Sequence, residues 1–344
     1  MEIFFCGCGN GISQNAQLWR KVRGGGYIAV DFFFVVSGYF MIQHFMGREQ
    51  SNISNIGKDT VLFLLNKMKN IYPYLLISCV ASYFLQWGDK SFFQNLSGIR
   101  YLIFDLSLLN MTGFADRVAY GSWYISAMFL GLFILFPMLF FMKDIYIYVM
   151  APLAAILIYG WISINIGYIR GTEFAYYGIL RLGVWRAIAG LCTGSVCWLL
   201  SDFLSKLKLN IVGKFLISFG ILFSVVIIVS NAVLYPCSQQ DFFSIVFIVI
   251  LVALVFSQKG IFYFCYNPKL GTFLRKWSMA LFLTAGIGES VAIRMKTTTE
   301  LINGIMWYVA SFISAGVSMV LLYVLKALFI KYNVKYLFIE KGKI

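Results

Sequence analysis

Long apolar runs follow one another along almost the whole chain, and that succession constrains the fold more than any motif does. A helix needs roughly 20 mostly apolar residues to cross about 30 Å of hydrocarbon. By that measure the sequence offers runs at 27–46, 71–87, 122–142, 147–165, 178–200, 211–234, 241–257, 277–293 and 303–328. The run at 71–87 is short, so its helix is expected to begin earlier, around Thr60. Residues 98–112, GIRYLIFDLSLLNMT, are apolar but carry Arg100 and Asp105, and read as a re-entrant or interfacial segment. The expected fold is all-α: a polytopic transmembrane helix bundle of about nine spans.

Composition excludes the main alternatives. With 60% hydrophobic residues and only 12% charged, too little polar surface exists to cover a water-soluble globule. The net charge of +14 does not indicate nucleic acid, because no soluble module presents a basic face with interleaved aromatics. Lysine and arginine instead sit between apolar runs, where they meet lipid headgroups and set orientation. The side holding 47–70, 143–146, 201–214, 258–276 and the residues after 328 carries sixteen of them, against eleven on the other side. The C-terminus is therefore expected in the cytoplasm, and an odd number of spans then puts the N-terminus outside. Residues 1–26 lack the basic start and long apolar core of a cleavable signal peptide. They read as an N-terminal remnant or loop, followed by one membrane domain at 27–330 and a cytoplasmic tail at 331–344.

The seven cysteines lie mostly inside apolar runs, where a free thiol behaves as a small hydrophobe. Cys6 and Cys8 form a C-x-C pair, but the chain has one histidine and no second pair at zinc spacing, so neither a disulfide framework nor a metal site is expected.

Polar groups at membrane depth are the candidates for chemistry, since such groups face a bundle interior or a water-filled cavity. The first run, GGGYIAVDFFFVVSGYFMIQHFM at 24–46, places Asp31 near its outer end, Ser37 and Gly38 near its middle and His44 toward the cytoplasm. Ser37–Gly38 reads either as a small-residue patch for close helix approach or as a cavity lining. His44 reads as an interfacial histidine. Arg181 and Arg186, five apart and about 140° from each other on a helix, suit phosphate or carboxylate recognition, or snorkelling to headgroups. Glu289 is a candidate base, a partner for one of those arginines, or an interfacial carboxylate. Trp123 and Tyr124 read as an aromatic anchor at the outer interface. No G-x-S-x-G elbow, phosphate loop or H-E-x-x-H motif is present.

Four segments, in order, resemble those of the acyltransferase 3 family, integral membrane enzymes that O-acylate carbohydrates. GGGYIAVDFFFVVSGYFM resembles its second-span signature. KMKNIYPYLLI resembles its basic motif before I-x-P-x-Y, with Lys67 and Asn70 where arginines are usual, and Lys69 between them. GSWYISAMFLGLFILFPML resembles its W-x-x-S segment, and LGTFLRKWSMALFLTAGIGESVAI its late L-G-x-x-S segment, with Ser278 retained. The resemblance runs from about residue 20 to 325. It implies ten spans minus the first, in the plasma (inner) membrane, with acyl-CoA approaching from the cytoplasm and a carbohydrate or glycolipid acceptor. In that reading Lys67, Lys69, Arg181, Arg186, Trp123, Tyr124 and Ser278 bind donor or substrate, while Ser37 and Glu289 are the catalytic candidates. The sequence departs from the family's pattern in two ways: residues 1–15 hold no counterpart of the first-span histidine, and LFLTAG stands where the late histidine is usual. A catalytically inactive homologue, or a transporter using Arg181, Arg186 and Glu289 along a polar path, is the alternative.

Overall fold

A computed structural model describes residues 25–47, 55–87, 92–114, 118–119, 121–171, 175–261, 268–294 and 300–341. They are all-α apart from one small hairpin. The helices are α1 (Ile28–Met46), α2 (Ile56–Trp87), α3 (Phe92–Leu106), α4 (Ser122–Ile145), α5 (Ala151–Asn165), α6 (Leu182–Lys206), α7 (Ile211–Leu234), α8 (Gln240–Phe256), α9 (Pro268–Arg294) and α10 (Glu300–Lys341). The hairpin pairs β1 (Tyr176–Tyr177) with β2 (Leu180–Arg181). Five helical stretches among the described residues are long and apolar enough to cross a membrane: 28–46, 122–165, 182–206, 211–234 and 304–327. Helices suit a bilayer because their interiors satisfy their own backbone N–H and C=O groups where no water is available.

Successive elements run back and forth between two ends of the bundle. At the first end lie Asp31 of α1, the start of α6 and the turn before α8, tied together by hydrogen bonds to Arg186 and Tyr27. At the second end His44 of α1 lies 5.0 Å, ring centre to centre, from Phe63 of α2, and Phe45 lies 5.0 Å from Phe140 of α4. Helix α6 sits in the middle, with nearly every side chain from Leu182 to Ser195 buried. Helix α1 crosses it so closely that no side chain fits between them. A Cβ on Gly38 would overlap the Leu191 carbonyl, one on Gly194 would overlap the carbonyl of Val35, and one on Gly190 would fall 2.5 Å from Phe34 Cβ. Gly190 and Gly194 are four apart on one helix face, the small-xxx-small spacing that lets membrane helices pack backbone to backbone. The small-residue reading of Gly38 holds, while Ser37 turns its Oγ toward Met128 Sδ of α4, 3.1 Å away.

Helix α9 begins at Pro268, nine residues before the expected 277, and four other expected boundaries shift for physical reasons. Residues 122–165 hold no loop at 143–146. A helix that long would measure about 66 Å at 1.5 Å per residue, and it is broken instead at Met142, with φ −149° and ψ 58°, and by a π-helical turn at Tyr146–Met150. Pro152, which has no N–H to offer the carbonyl four residues back, follows immediately. The expected run at 178–200 begins only at Leu182, because Gly178 takes φ +65° in the hairpin turn and Arg181 is extended. Helix α10 continues through most of the expected tail, to Lys341. The segment 98–112 divides into the end of α3, whose 15 residues are too short to cross, and a 3-10 turn at Asn110–Thr112. The N-terminal remnant up to residue 24 lies outside the described residues.

Inserting a branched side chain at the α1–α6 crossing should be costly. Gly194→Val is expected to destabilise the protein by about 1–3 kcal/mol or more, seen as a lower thermal midpoint in detergent. Gly160→Ala, where an added Cβ meets nothing within 4 Å, should be neutral or stabilising by up to about 1 kcal/mol.

Candidate functional site

The first end of the bundle contains a fully buried ion pair. Arg186 Nη2 lies 2.6 Å from Asp31 Oδ2 and Nε lies 3.0 Å from Oδ1, and both side chains are fully shielded from solvent. Sequence and fold place them together because the α1–α6 glycines bring the two helices into backbone contact. A two-point guanidinium–carboxylate pair is the strong form of such a contact. Two further N–H groups of Arg186 are also engaged: Nη2 donates to the Tyr27 carbonyl at 2.9 Å, and Nη1 to that of Ile169 at 3.4 Å. The guanidinium carbon lies 5.7 Å from the centre of the Trp123 ring, within cation–π range. Tyr159 of α5 donates to Asp31 Oδ1 at 3.3 Å.

A second carboxylate extends this cluster. Asp241, in the first turn of α8, accepts from the Tyr27 hydroxyl at 2.5 Å and from the Ile169 N–H at 3.0 Å. The Tyr27 hydroxyl in turn accepts the Cys237 N–H at 3.0 Å. Tyr27 therefore serves Arg186 through its carbonyl and Asp241 through its ring, and one residue joins α1, α6, the 166–169 turn and the start of α8.

A third polar group closes the same end around α4. Asp105 is fully buried and accepts from Asn110 Nδ2 at 2.6 Å and from the N–H groups of Val118 at 2.7 Å and Ala119 at 3.0 Å. Burial pushes its carboxyl above the usual range, opposed by the Ala119 N–H, the Asn110 amide and the Val118 N–H. Ser126, part of the W-x-x-S segment, donates to the Leu108 carbonyl at 2.6 Å and accepts from the Met111 N–H.

Between the two ends, aromatic side chains join the segments that carry the motifs. Tyr124 of α4 packs against Phe33 of α1, ring centres 6.0 Å apart, and against Phe282 of α9 at 4.9 Å, while Phe33 and Phe282 meet at 5.4 Å. Ser78 of α2 donates to the Leu283 carbonyl of α9 at 2.5 Å. At the second end, Phe63 of α2 stacks on Phe136 of α4 at 4.2 Å, and His44 lies over both. Lys67 stands one helical turn beyond Phe63.

The candidate residues thus fall in distinct places. Arg186 is locked to Asp31. Arg181 precedes α6 in extended backbone, its Nε 3.3 Å from the Tyr176 hydroxyl. Trp123 and Tyr124 are buried inside the bundle rather than facing headgroups, the first against Arg186 and the second in the Phe33–Phe282 contact. Lys69 is exposed and Lys67 half-buried, both toward the end marked by His44. Ser278 is exposed on α9 and bonds to its own helix at Leu274. Glu289 lies in α9, and its side chain is outside the described residues. Sequence reading passed over Tyr27, Tyr159 and Asp241. The only local signal was at Asp241, an acidic residue at the start of an apolar run. Among the described residues no His, Cys, Asp and Glu cluster could hold a metal.

No family model, no curated protein and no solved structure matches this chain.

Replacing Tyr27 by Phe removes the hydroxyl between Asp241 and Cys237 without changing the ring. The expected cost is about 1–3 kcal/mol, the penalty for leaving buried polar groups unpaired, measured as thermal unfolding in detergent. Tyr148→Phe, at an exposed ring, should leave the midpoint unchanged.

Proposed function

We propose that the chain is a membrane-bound acyltransferase that moves an acyl group, acetyl in the first instance, from acyl-CoA to a hydroxyl of a cell-surface carbohydrate. The single observation that carries the reading is the convergence of its four motif-like segments. The IAVDFFFVVSG, KMKNIYPYLLI, SWYISAMF and LGTFLRKWSMALFLTAG parts of those segments lie on α1, α2, α4 and α9, and those helices meet through Phe33, Tyr124 and Phe282, through Ser78 and Leu283, and through His44, Phe63 and Phe136. In this reading the bundle has nine spans in the plasma membrane, with its C-terminus in the cytoplasm and the His44 end facing the donor.

The chemistry is acyl transfer. A base removes the proton of a sugar hydroxyl, the oxygen attacks the thioester carbonyl, and the coenzyme thiolate leaves. Positioning of donor and acceptor supplies much of the acceleration. Arg186, held by Asp31, orders the helices around the site. Lys67 and Lys69 are the cations offered to the phosphates of the coenzyme, and Ser37 and Glu289 are the candidates for contact with the reacting groups.

The test is transfer of labelled acetyl from acetyl-CoA to a carbohydrate acceptor by the purified chain in proteoliposomes. The Lys67→Ala, Lys69→Ala double variant should raise KM for acetyl-CoA roughly tenfold or more, the equivalent of losing one charge-assisted hydrogen bond of about 1.5–3 kcal/mol. Glycan flux that persists without acetyl-CoA would make the chain a transporter. Neither transfer nor flux would make it an inactive homologue.

A further inference from the structure

Between α5 and α6, at the end of the bundle marked by Arg186, the chain forms a hairpin whose tip is apolar and projects outward. Gly178 at φ +65° and Ile179 make its two-residue turn, joining Tyr177 to Leu180. Ile179 is 91% exposed, and Tyr176 and Tyr177 on the first strand are 57% and 46% exposed. A single exposed apolar residue is ordinary in a protein surface. This one is not isolated. Tyr177 packs on Trp161 of α5 with ring centres 4.0 Å apart, and Trp185 of α6 donates its Nε1 proton to the Tyr177 carbonyl at 3.2 Å.

Through Trp161 the hairpin continues the outward-facing side of α5. That side presents Leu153, Ile156, Leu157 and, at 87% exposure, Ile164, the last three standing three, four and eleven residues after the first along one helical stripe. The stripe is the exposed side of an apolar helical stretch long enough to cross a membrane, and the hairpin is its direct extension at the helix end. Tyrosine and tryptophan with an apolar body and a polar tip are the residues favoured at the headgroup level. Arg170, exposed on the same connection, adds a positive charge where anionic lipid phosphates lie.

We infer that the 176–180 hairpin is an interfacial anchor, with Ile179 inserted at the boundary between headgroups and acyl chains of the leaflet at this end of the bundle, the outer leaflet by the count of basic residues. Its inner attachments tie the hairpin to the body of the bundle. Tyr176 accepts a hydrogen bond from Arg181 and lies against Gly113, where a Cβ would approach its hydroxyl to 2.5 Å, and Arg181 is five residues before Arg186. The anchor does not depend on what reaction the protein performs.

The test uses the full chain in liposomes of phosphatidylcholine and phosphatidylglycerol, with Ile179→Cys carrying an environment-sensitive fluorophore and the identically treated parent chain subtracted. Lys206→Cys, at a side chain 72% exposed at the far end of α6, is the aqueous reference. The anchor predicts blue-shifted emission at 179, strong quenching by a nitroxide placed near the headgroup end of the lipid chain, and iodide quenching several-fold weaker than at 206. An Ile164→Cys label should behave like the label at 179. Water-like emission with full iodide quenching at 179 would overturn the inference. So would emission that shifts only on adding the carbohydrate acceptor or on raising the protein-to-lipid ratio, results that would assign the tip to a glycan or to a second copy of the chain.

Discussion

A guanidinium with no access to solvent has to be neutralised where it lies, and Arg186 meets that requirement with Asp31 on a neighbouring helix. Removing a charge from water costs several kcal/mol, and the attraction between the pair offsets this only when the geometry is good and the other donors find acceptors. Both conditions are met, with two contacts to the carboxylate and two to backbone carbonyls. The requirement propagates outward. Arg186 can reach Asp31 only if α1 and α6 touch, and they touch only because Gly38, Gly190 and Gly194 carry no side chain. It can reach the Tyr27 and Ile169 carbonyls only if the 25–27 turn and the 166–169 turn fold over it, and Asp241 holds both of those turns.

The bundle is consequently asymmetric along its length. One end is closed by three buried carboxylates, each supplied with donors from separate segments: Asp31 by α6 and α5, Asp241 by the 27 and 169 positions, Asp105 by the residues ahead of α4. The other end carries stacked aromatic rings under the chain's one histidine, with Lys67 and Lys69 close by. This polarity suits the proposed acyl transfer, in which a phosphate-bearing donor and a hydroxyl-bearing acceptor reach one site from opposite sides of a membrane. Arg186 belongs to the frame in that scheme, since its donors face protein atoms.

Much of this was legible in the sequence because membrane burial leaves a strong signal. The all-α class followed from the apolar runs, and the extension of α2 back beyond Thr60 followed from the shortness of the 71–87 run. The break within 122–165 was legible only as a change of composition around Lys143 and Asp144, whereas its position depends on Met142 and Pro152. The role of Gly38 was one of two open readings, and the Gly190–Gly194 spacing that decides it was visible but unused. Partner choice was not legible at all. Asp31 and Arg186 stand 155 positions apart, and Tyr27 and Asp241 stand 214 apart, and nothing local at any of the four sites identifies the other. Trp123 shows the same limit from another side, because its position at the start of an apolar helix fits an interfacial anchor as well as a buried partner for a cation.

The account rests on direct coupling between Asp31 and Arg186, and a double-mutant cycle measures that coupling. Asp31→Asn and Arg186→Gln, singly and together, would be compared by reversible unfolding in mixed detergent and denaturant. Each single variant leaves one buried charge without its counter-charge and should lose about 3–5 kcal/mol, while the double variant should lose far less than the sum, with a coupling energy of at least about 2 kcal/mol. Additive losses would contradict the account, since they would mean that the two side chains act in separate environments and that the α1–α6 crossing is not organised around them.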